Sequence, residues 1–167
     1  MHDVSITLTP HNEEHNNIFS RVTLKSCYTF NLFTKCIRDQ ENRMRLFIAD
    51  GNSSVRLSLQ MYLQQEPGLY VTGMASEAEG LPAQLEASRP DVLLLDSHLP
   101  GAPMPGLLAD IRGLESPPRI AVLSIKPEER EPAISAGADA FISKNAPPEE
   151  LLEAIRSLRE TTANSTE

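Results

Sequence analysis

From Met44 onward the chain alternates short, continuous apolar runs with longer stretches of helical spacing, and this alternation constrains its fold more than any other feature. Five runs stand out: Arg45–Ala49 (RLFIA), Leu69–Gly73 (LYVTG), Val92–Leu95 (VLLL), Ile120–Leu123 (IAVL) and Ala140–Ser143 (AFIS). A strand with one wetted face alternates apolar and polar residues, whereas a strand covered on both faces by helices has no need to. These runs are of the second kind. The strand-helix repeat therefore predicts an α/β fold with a parallel sheet.

The intervening helices are legible to different degrees. The first follows Asn52 and Ser53, both good capping residues, and repeats Val55, Leu59 and Tyr62–Leu63 at helical spacing up to Pro67 and Gly68. The second has a capping box at Ser76–Glu79, but Gly80 and Pro82 interrupt it, which also allows a start at Pro82. The third is expected over 106–113. The fourth, about 128–136, contains Pro132 and should be short or irregular. The fifth opens at Pro148 with Glu149 and Glu150 facing the positive end of its dipole, and Leu151, Leu152, Ile155 and Leu158 form a buried stripe. The polar tail 161–167 is expected to fray.

The chain has 167 residues, with 15 Lys+Arg against 23 Asp+Glu, and so a net charge of −8. Residues 1–43 hold 5 of each sign, so 44–167 hold 10 and 18 and carry the whole imbalance. An acidic chain of this kind is a poor direct partner for nucleic acid, whose phosphates need Lys and Arg. No apolar stretch approaches the length of a membrane helix, and no secretory leader opens the chain, so a cytoplasmic location is expected. Two cysteines, Cys27 and Cys36, provide neither a disulfide framework nor a zinc ligand set. Residues 1–43 hold both cysteines, three of the four histidines and one of the 13 prolines, without sustained periodicity. They are assigned no fold: a genuine extension and a mis-assigned start are both open. Residues 44–160 are read as one domain.

In an open parallel sheet, ligands bind beyond the carboxyl ends of the strands. Four polar residues terminate the apolar runs there: Asp50, Asp96, Ser124 and Lys144. Taken in the order 2-1-3-4-5 with right-handed crossovers, strands one, three, four and five are neighbours and these side chains converge on one edge. Two carboxylates, a hydroxyl and an ammonium suit a hard divalent cation together with a phosphoryl group. Singly, each has a plainer explanation: strand-end aspartates cap turns, Lys144 is a solvated loop residue, and Ser124 forms a turn. His98, two residues past Asp96, reads as an exposed loop residue. No Ser-His-Asp arrangement, paired-cysteine motif or phosphate-cradling glycine loop is present.

The segments RLFIADGN (45–52), PDVLLLDSHLPG (90–101), RIAVLSI (119–125) and GADAFISKNAPPEELLEAI (137–155) together resemble the receiver domain of two-component response regulators, in particular the receivers that precede a helix-turn-helix output domain. The resemblance implies a flavodoxin-like (βα)5 doubly wound sheet. It implies Asp96 as the phosphoacceptor, taking a phosphoryl group from a sensor histidine kinase or phosphotransfer protein. Mg²⁺ would be held by Asp50, Asp96 and the backbone carbonyl of His98, whose side chain sits where such domains tune dephosphorylation. Lys144 would pair with the phosphoryl oxygens and Ser124 would hydrogen-bond them. Phe141 occupies the switch-aromatic position, and can equally be read as a buried strand residue. Phosphorylation would bias loop 125–135 and report to a downstream protein target through the face around helix four and strand five.

Two departures accompany the resemblance. Receivers carry two adjacent acids after the first strand, and here Gly51 stands in place of the second, so weak Mg²⁺ binding is expected. No output domain follows helix five, so a stand-alone receiver acting through protein contacts is expected, with a homodimer left open. The rival readings are a phosphorylation-independent pseudo-receiver and, with less support, a phosphohydrolase using Asp96 as nucleophile. The latter needs an acid where His98 stands. The chain is thus expected to be a signalling module and not a turnover enzyme.

Overall fold

Five parallel strands form one sheet in the computed structural model, which describes residues 43–163, with side chains as far as Arg159. The expectations placed on residues 1–42, including the cysteines, lie outside the described residues, as do those on 164–167. β1 (Met44–Ala49) is flanked by β2 (Leu69–Ala75) and β3 (Val92–Asp96), and β4 (Arg119–Ser124) and β5 (Ala140–Ser143) complete the order β2-β1-β3-β4-β5. The helices are α1 (Ser53–Leu63), α2 (Leu81–Ser88), α3 (Met104–Arg112), α4 (Arg130–Ser135) and α5 (Pro148–Ala163). This is the flavodoxin-like (βα)5 architecture the sequence predicts.

The continuous apolar runs are explained by two cores. Leu46, Ile48, Leu94 and Leu123 pack with Leu63 of α1 and with Leu151, Leu152, Ile155 and Leu158 of α5. Phe47, Leu93, Leu95 and Val122 point the other way and pack with Leu81 and Leu85 of α2, Leu107, Leu108 and Ile111 of α3, and Ala133 of α4. Successive strand residues therefore serve opposite layers, and a polar residue on either side would be stranded in a core.

Several element boundaries differ from those expected. Ser76–Glu79 does not cap α2: Gly80, in the left-handed region at φ 71°, precedes the helix, and Pro82 sits in its first turn, where the missing N–H costs nothing. α3 begins at Met104, two residues early, with Pro105 likewise in its first turn. The fourth helix is divided into a 3₁₀ turn, Pro127–Glu129, and α4. α5 continues to Ala163, so residues 161–163 belong to the helix and not to a tail.

The register sets the site. Ala49 pairs with Leu95, Asp96 with Leu123, and Ser124 with Ser143. Because all strands run the same way, the residues that end β1, β3, β4 and β5 lie along one edge.

Candidate functional site

Asp50 follows β1, and its carboxylate is fully buried. One of its oxygens, Oδ1, accepts the amide N–H of Asn52 at 2.8 Å. Asn52 itself caps α1, accepting from Ser54 and Val55, so the turn that starts the helix also fixes the carboxylate. Oδ2 accepts from Lys144 Nζ at 2.7 Å.

Lys144 bridges the two aspartates. Its Nζ lies 3.0 Å from Asp96 Oδ1, and its amide donates to Ser124 O at 2.8 Å, extending the β4–β5 ladder by one residue. Burial pushes the ammonium towards its neutral form, but the hydrogen bonds and charges of Asp50 and Asp96 outweigh it, and the pKa of Lys144 lies above its ordinary value. Asp96 Oδ1 also accepts the N–H of His98 at 3.2 Å. No described residue hydrogen-bonds Oδ2, so one oxygen of Asp96 is positioned and the other is open.

Ser124, at the end of β4, is 2% exposed, and its hydroxyl is engaged with the segment that follows the strand: Oγ donates to Glu129 Oε2 at 2.6 Å and accepts the N–H of Lys126 at 3.1 Å. The His98 side chain is exposed, with Nδ1 2.8 Å from Ser97 Oγ and Nε2 3.3 Å from Glu129 Oε1. Burial raises the Glu129 carboxyl, but the hydroxyls of Ser124 and Ser97 and the charges of His98 and Lys126 more than compensate, and its pKa lies below the usual glutamate value. Phe141 is half-buried and packs against the core on the α2–α4 side.

Of the residues singled out in the sequence, Asp50, Asp96 and Lys144 are in direct contact. Ser124 is beside them but engaged elsewhere, and Phe141 lies apart. Glu129 and Lys126 escaped the sequence reading. Their only signal was the acidic pair Glu128–Glu129 after Pro127, which reads as an ordinary helix start.

Position 51 differs most from what a metal site needs. Among the described residues there is no group of three or more His, Cys, Asp or Glu side chains able to hold a metal ion. A Cβ placed on Gly51 would lie 3.0 Å from Pro100 Cδ and 3.2 Å from Cγ, so the proline ring occupies the space a side chain would enter. What remains, the carboxylates of Asp50 and Asp96 on either side of Lys144, is a pair of hard oxygen donors. It suits Mg²⁺, which readily keeps several waters.

The sequence model of the response regulator receiver domain matches residues 46–156. The chain belongs to this family. Receiver domains act in two-component phosphorelay signalling, interact with histidine kinases or phosphotransfer proteins, bind Mg²⁺ at the phosphorylation site, and are not in general enzymes. The response regulator GacA of Pseudomonas viridiflava is 32% identical over 117 residues, covering 68% of this chain and 54% of that protein. A protein-glutamate methylesterase/protein-glutamine glutaminase of Cereibacter sphaeroides is 38% identical over 112 residues, covering 64% of this chain and 30% of that protein. Only the receiver part of the methylesterase is matched, so its esterase activity does not transfer. The solved receiver domain of a NarL response regulator from Mycobacterium tuberculosis superposes with a TM-score of 0.64 at 25% identity, covering 70% of this chain and 95% of that one. Among the described residues, no helix of the receiver is long and apolar enough to cross a membrane.

Proposed function

We propose that this receiver accepts a phosphoryl group on Asp96 from the phosphohistidine of a sensor kinase or phosphotransfer protein, and relays its state to a downstream protein. The observation that carries this reading is the Asp50–Lys144–Asp96 cluster. Lys144 and the His98 amide hold Oδ1 of Asp96, and Oδ2 is left without a hydrogen bond. In the transfer, a lone pair on Oδ2 forms the new bond to phosphorus as the P–N bond of phosphohistidine breaks. The bonding pair stays on the imidazole nitrogen, which takes up a proton from water. Asp96 becomes an acyl phosphate and nothing is oxidised or reduced.

Lys144 is already in place to pair with the arriving oxygens, since it lies 3.0 Å from Asp96. Its attraction strengthens as the group arrives, because the acyl phosphate carries roughly two negative charges where the carboxylate had one. Asp50, Asp96 and the carbonyl of His98 would hold Mg²⁺, weakly because position 51 supplies no carboxylate. When bound, the ion neutralises charge on the phosphoryl oxygens. Ser124 would turn to donate to the phosphoryl group, and Phe141, at the end of the sheet next to α4, would follow it. The surface around α4 and β5 is the output face in this reading. The net charge of −8 favours a protein target over nucleic acid, and the lack of a membrane-length apolar stretch fits a cytoplasmic setting.

The test is intact-mass spectrometry of the protein and of Asp96→Asn after incubation with Mg²⁺ and acetyl phosphate. One added phosphoryl group, absent in the variant, is the expected result. No gain at any Mg²⁺ concentration would overturn the proposal in favour of a phosphorylation-independent interaction module, the reading that Gly51 favours.

A further inference from the structure

Ser124 carries the hydroxyl that a phosphoryl group on Asp96 would need, yet its proton is committed to Glu129 at 2.6 Å. A serine hydroxyl has one proton to donate. While Glu129 holds it, no phosphoryl oxygen can receive it. The other oxygen of the same carboxylate, Oε1, lies 3.3 Å from His98 Nε2 and 3.7 Å from Lys126 Nζ. Glu129 therefore ties the loop after β3, which carries His98, to the loop after β4, which carries Lys126. It also closes the 3₁₀ turn Pro127–Glu129 that leads directly into α4.

We propose that Glu129 is a resting-state latch: its carboxylate holds Ser124, Lys126 and His98 in the unphosphorylated arrangement and must leave before Ser124 can reach a phosphoryl group on Asp96. The inference rests on Asp96 being the phosphoacceptor. Two anions compete for the same donors, and the one with roughly two charges and three acceptor oxygens displaces the one with a single charge. Like-charge repulsion acts in the same direction, driving Glu129 away from the occupied site. Once the carboxylate leaves, the turn 127–129 loses its side-chain anchors at Ser124 and His98, and α4 is free to shift. Glu129 is a positioning residue, because it acts through Ser124 and does not touch the transferred group.

The experiment uses the full chain, its Glu129→Ala and Glu129→Gln variants, and Glu129→Ala combined with Ser124→Ala. The initial rate of phosphorylation by acetyl phosphate with Mg²⁺ is read by intact mass, and amide hydrogen exchange is followed over residues 125–136. Removing a charge-assisted hydrogen bond that is partly exposed to solvent should speed phosphorylation of Glu129→Ala by about three- to tenfold. Glu129→Gln keeps an acceptor oxygen without the charge and should fall between. Exchange over 125–136 in unphosphorylated Glu129→Ala should rise towards that of the phosphorylated wild type. In the Ser124→Ala background the effect of Glu129→Ala should shrink to less than about twofold, since the hydroxyl that the latch withholds from the phosphoryl group is gone and only the weaker, exposed contacts to Lys126 and His98 remain.

Wild-type acceptance of a phosphoryl group with unchanged rate and exchange in Glu129→Ala would overturn the latch alone. An undiminished effect in the Ser124→Ala background would overturn it too, by showing that Glu129 acts only through its charge. If the wild type takes no phosphoryl group on Asp96, the underlying reading fails and the latch fails with it.

Discussion

Placing an aspartate at position 51 should tighten Mg²⁺ binding at least tenfold. The site now holds two carboxylates, Asp50 and Asp96, and one ammonium, Lys144, for a net charge of −2 + 1 = −1. Two unit charges about 4 Å apart interact by about 4 kcal/mol at an effective dielectric near 20. An added carboxylate at that spacing would attract a divalent cation by about 8 kcal/mol, while its repulsion from the net negative charge already present acts with and without the ion and so costs stability, not affinity. Dehydration of the ion and of the new side chain consumes most of that attraction. A surviving gain of about 1.4 kcal/mol is a tenfold lower Kd.

The structure also says what the substitution costs. Gly51 is not among the glycines with positive φ, so its backbone accepts an L-residue. The new Cβ would press on the Pro100 ring at 3.0 Å, and the ring must yield by a few tenths of an ångström. Gly51→Ala isolates that cost, expected at about 1 kcal/mol of stability. The assay is calorimetric titration of Mg²⁺ into the wild type, Gly51→Ala and Gly51→Asp, with urea midpoints for all three. If Gly51→Asp binds Mg²⁺ no more tightly than Gly51→Ala, the charge argument is wrong.

Three further outcomes follow from the same geometry. A Cβ on Gly73 would lie 2.5 Å from Phe47 Cε2, so Gly73→Ala should cost about 1–3 kcal/mol in urea unfolding, and adding Phe47→Leu should recover part of it; equal loss with and without the second change would show that the ring is not the obstacle. Lys144→Ala should lower stability by about 2–3 kcal/mol, because it leaves the buried Asp50 facing Asp96 without a cation, and an unchanged urea midpoint would contradict this. Asp139 is desolvated, which raises its pKa, but the amide of Ile120 and the guanidinium groups of Arg112 and Arg119 pull it below the ordinary aspartate value. Its protons bind less tightly folded than unfolded, so its stabilisation is complete above about pH 4 and is lost as pH falls below that, towards the lower folded value. The stability gap between wild type and Asp139→Asn should therefore be wide at pH 6 and narrower at pH 3; a gap of the same size at both would refute the assignment.

How much of this was legible in the sequence depends on whether a residue is placed by the sheet or by a loop. Asp50, Asp96 and Lys144 could be named because parallel strands all end on one edge, so a polar residue closing an apolar run has only one place to be. The two cores were legible for a related reason: Leu93, Leu94 and Leu95 are all apolar because consecutive residues face opposite helical layers. Glu129 was not legible. Glu128 and Glu129 are identical in type and adjacent, and only the 3₁₀ geometry of Pro127–Glu129 decides which carboxylate reaches Ser124. The capping box at Ser76–Glu79 misled for the opposite reason, since a local pattern lost to the left-handed turn at Gly80 and to Pro82 behind it.

Gly51 and Glu129 bear on the same balance of charge. With glycine at 51, the metal site has one anion fewer to draw Mg²⁺ in. With Glu129 on the rim, the hydroxyl and the Lys126 ammonium that would receive a phosphoryl group already have an anionic partner. If Asp96 is the phosphoacceptor, both would make the unphosphorylated arrangement harder to leave, the first by weakening what pulls the phosphoryl group in and the second by occupying what would hold it. Gly51→Asp and Glu129→Ala act on separate groups, one beside Pro100 and one beside Ser124. Their effects on phosphorylation should multiply if the two barriers are independent. A combined variant no faster than the better single one would instead mean that a single step, either metal entry or release of Ser124, limits the reaction.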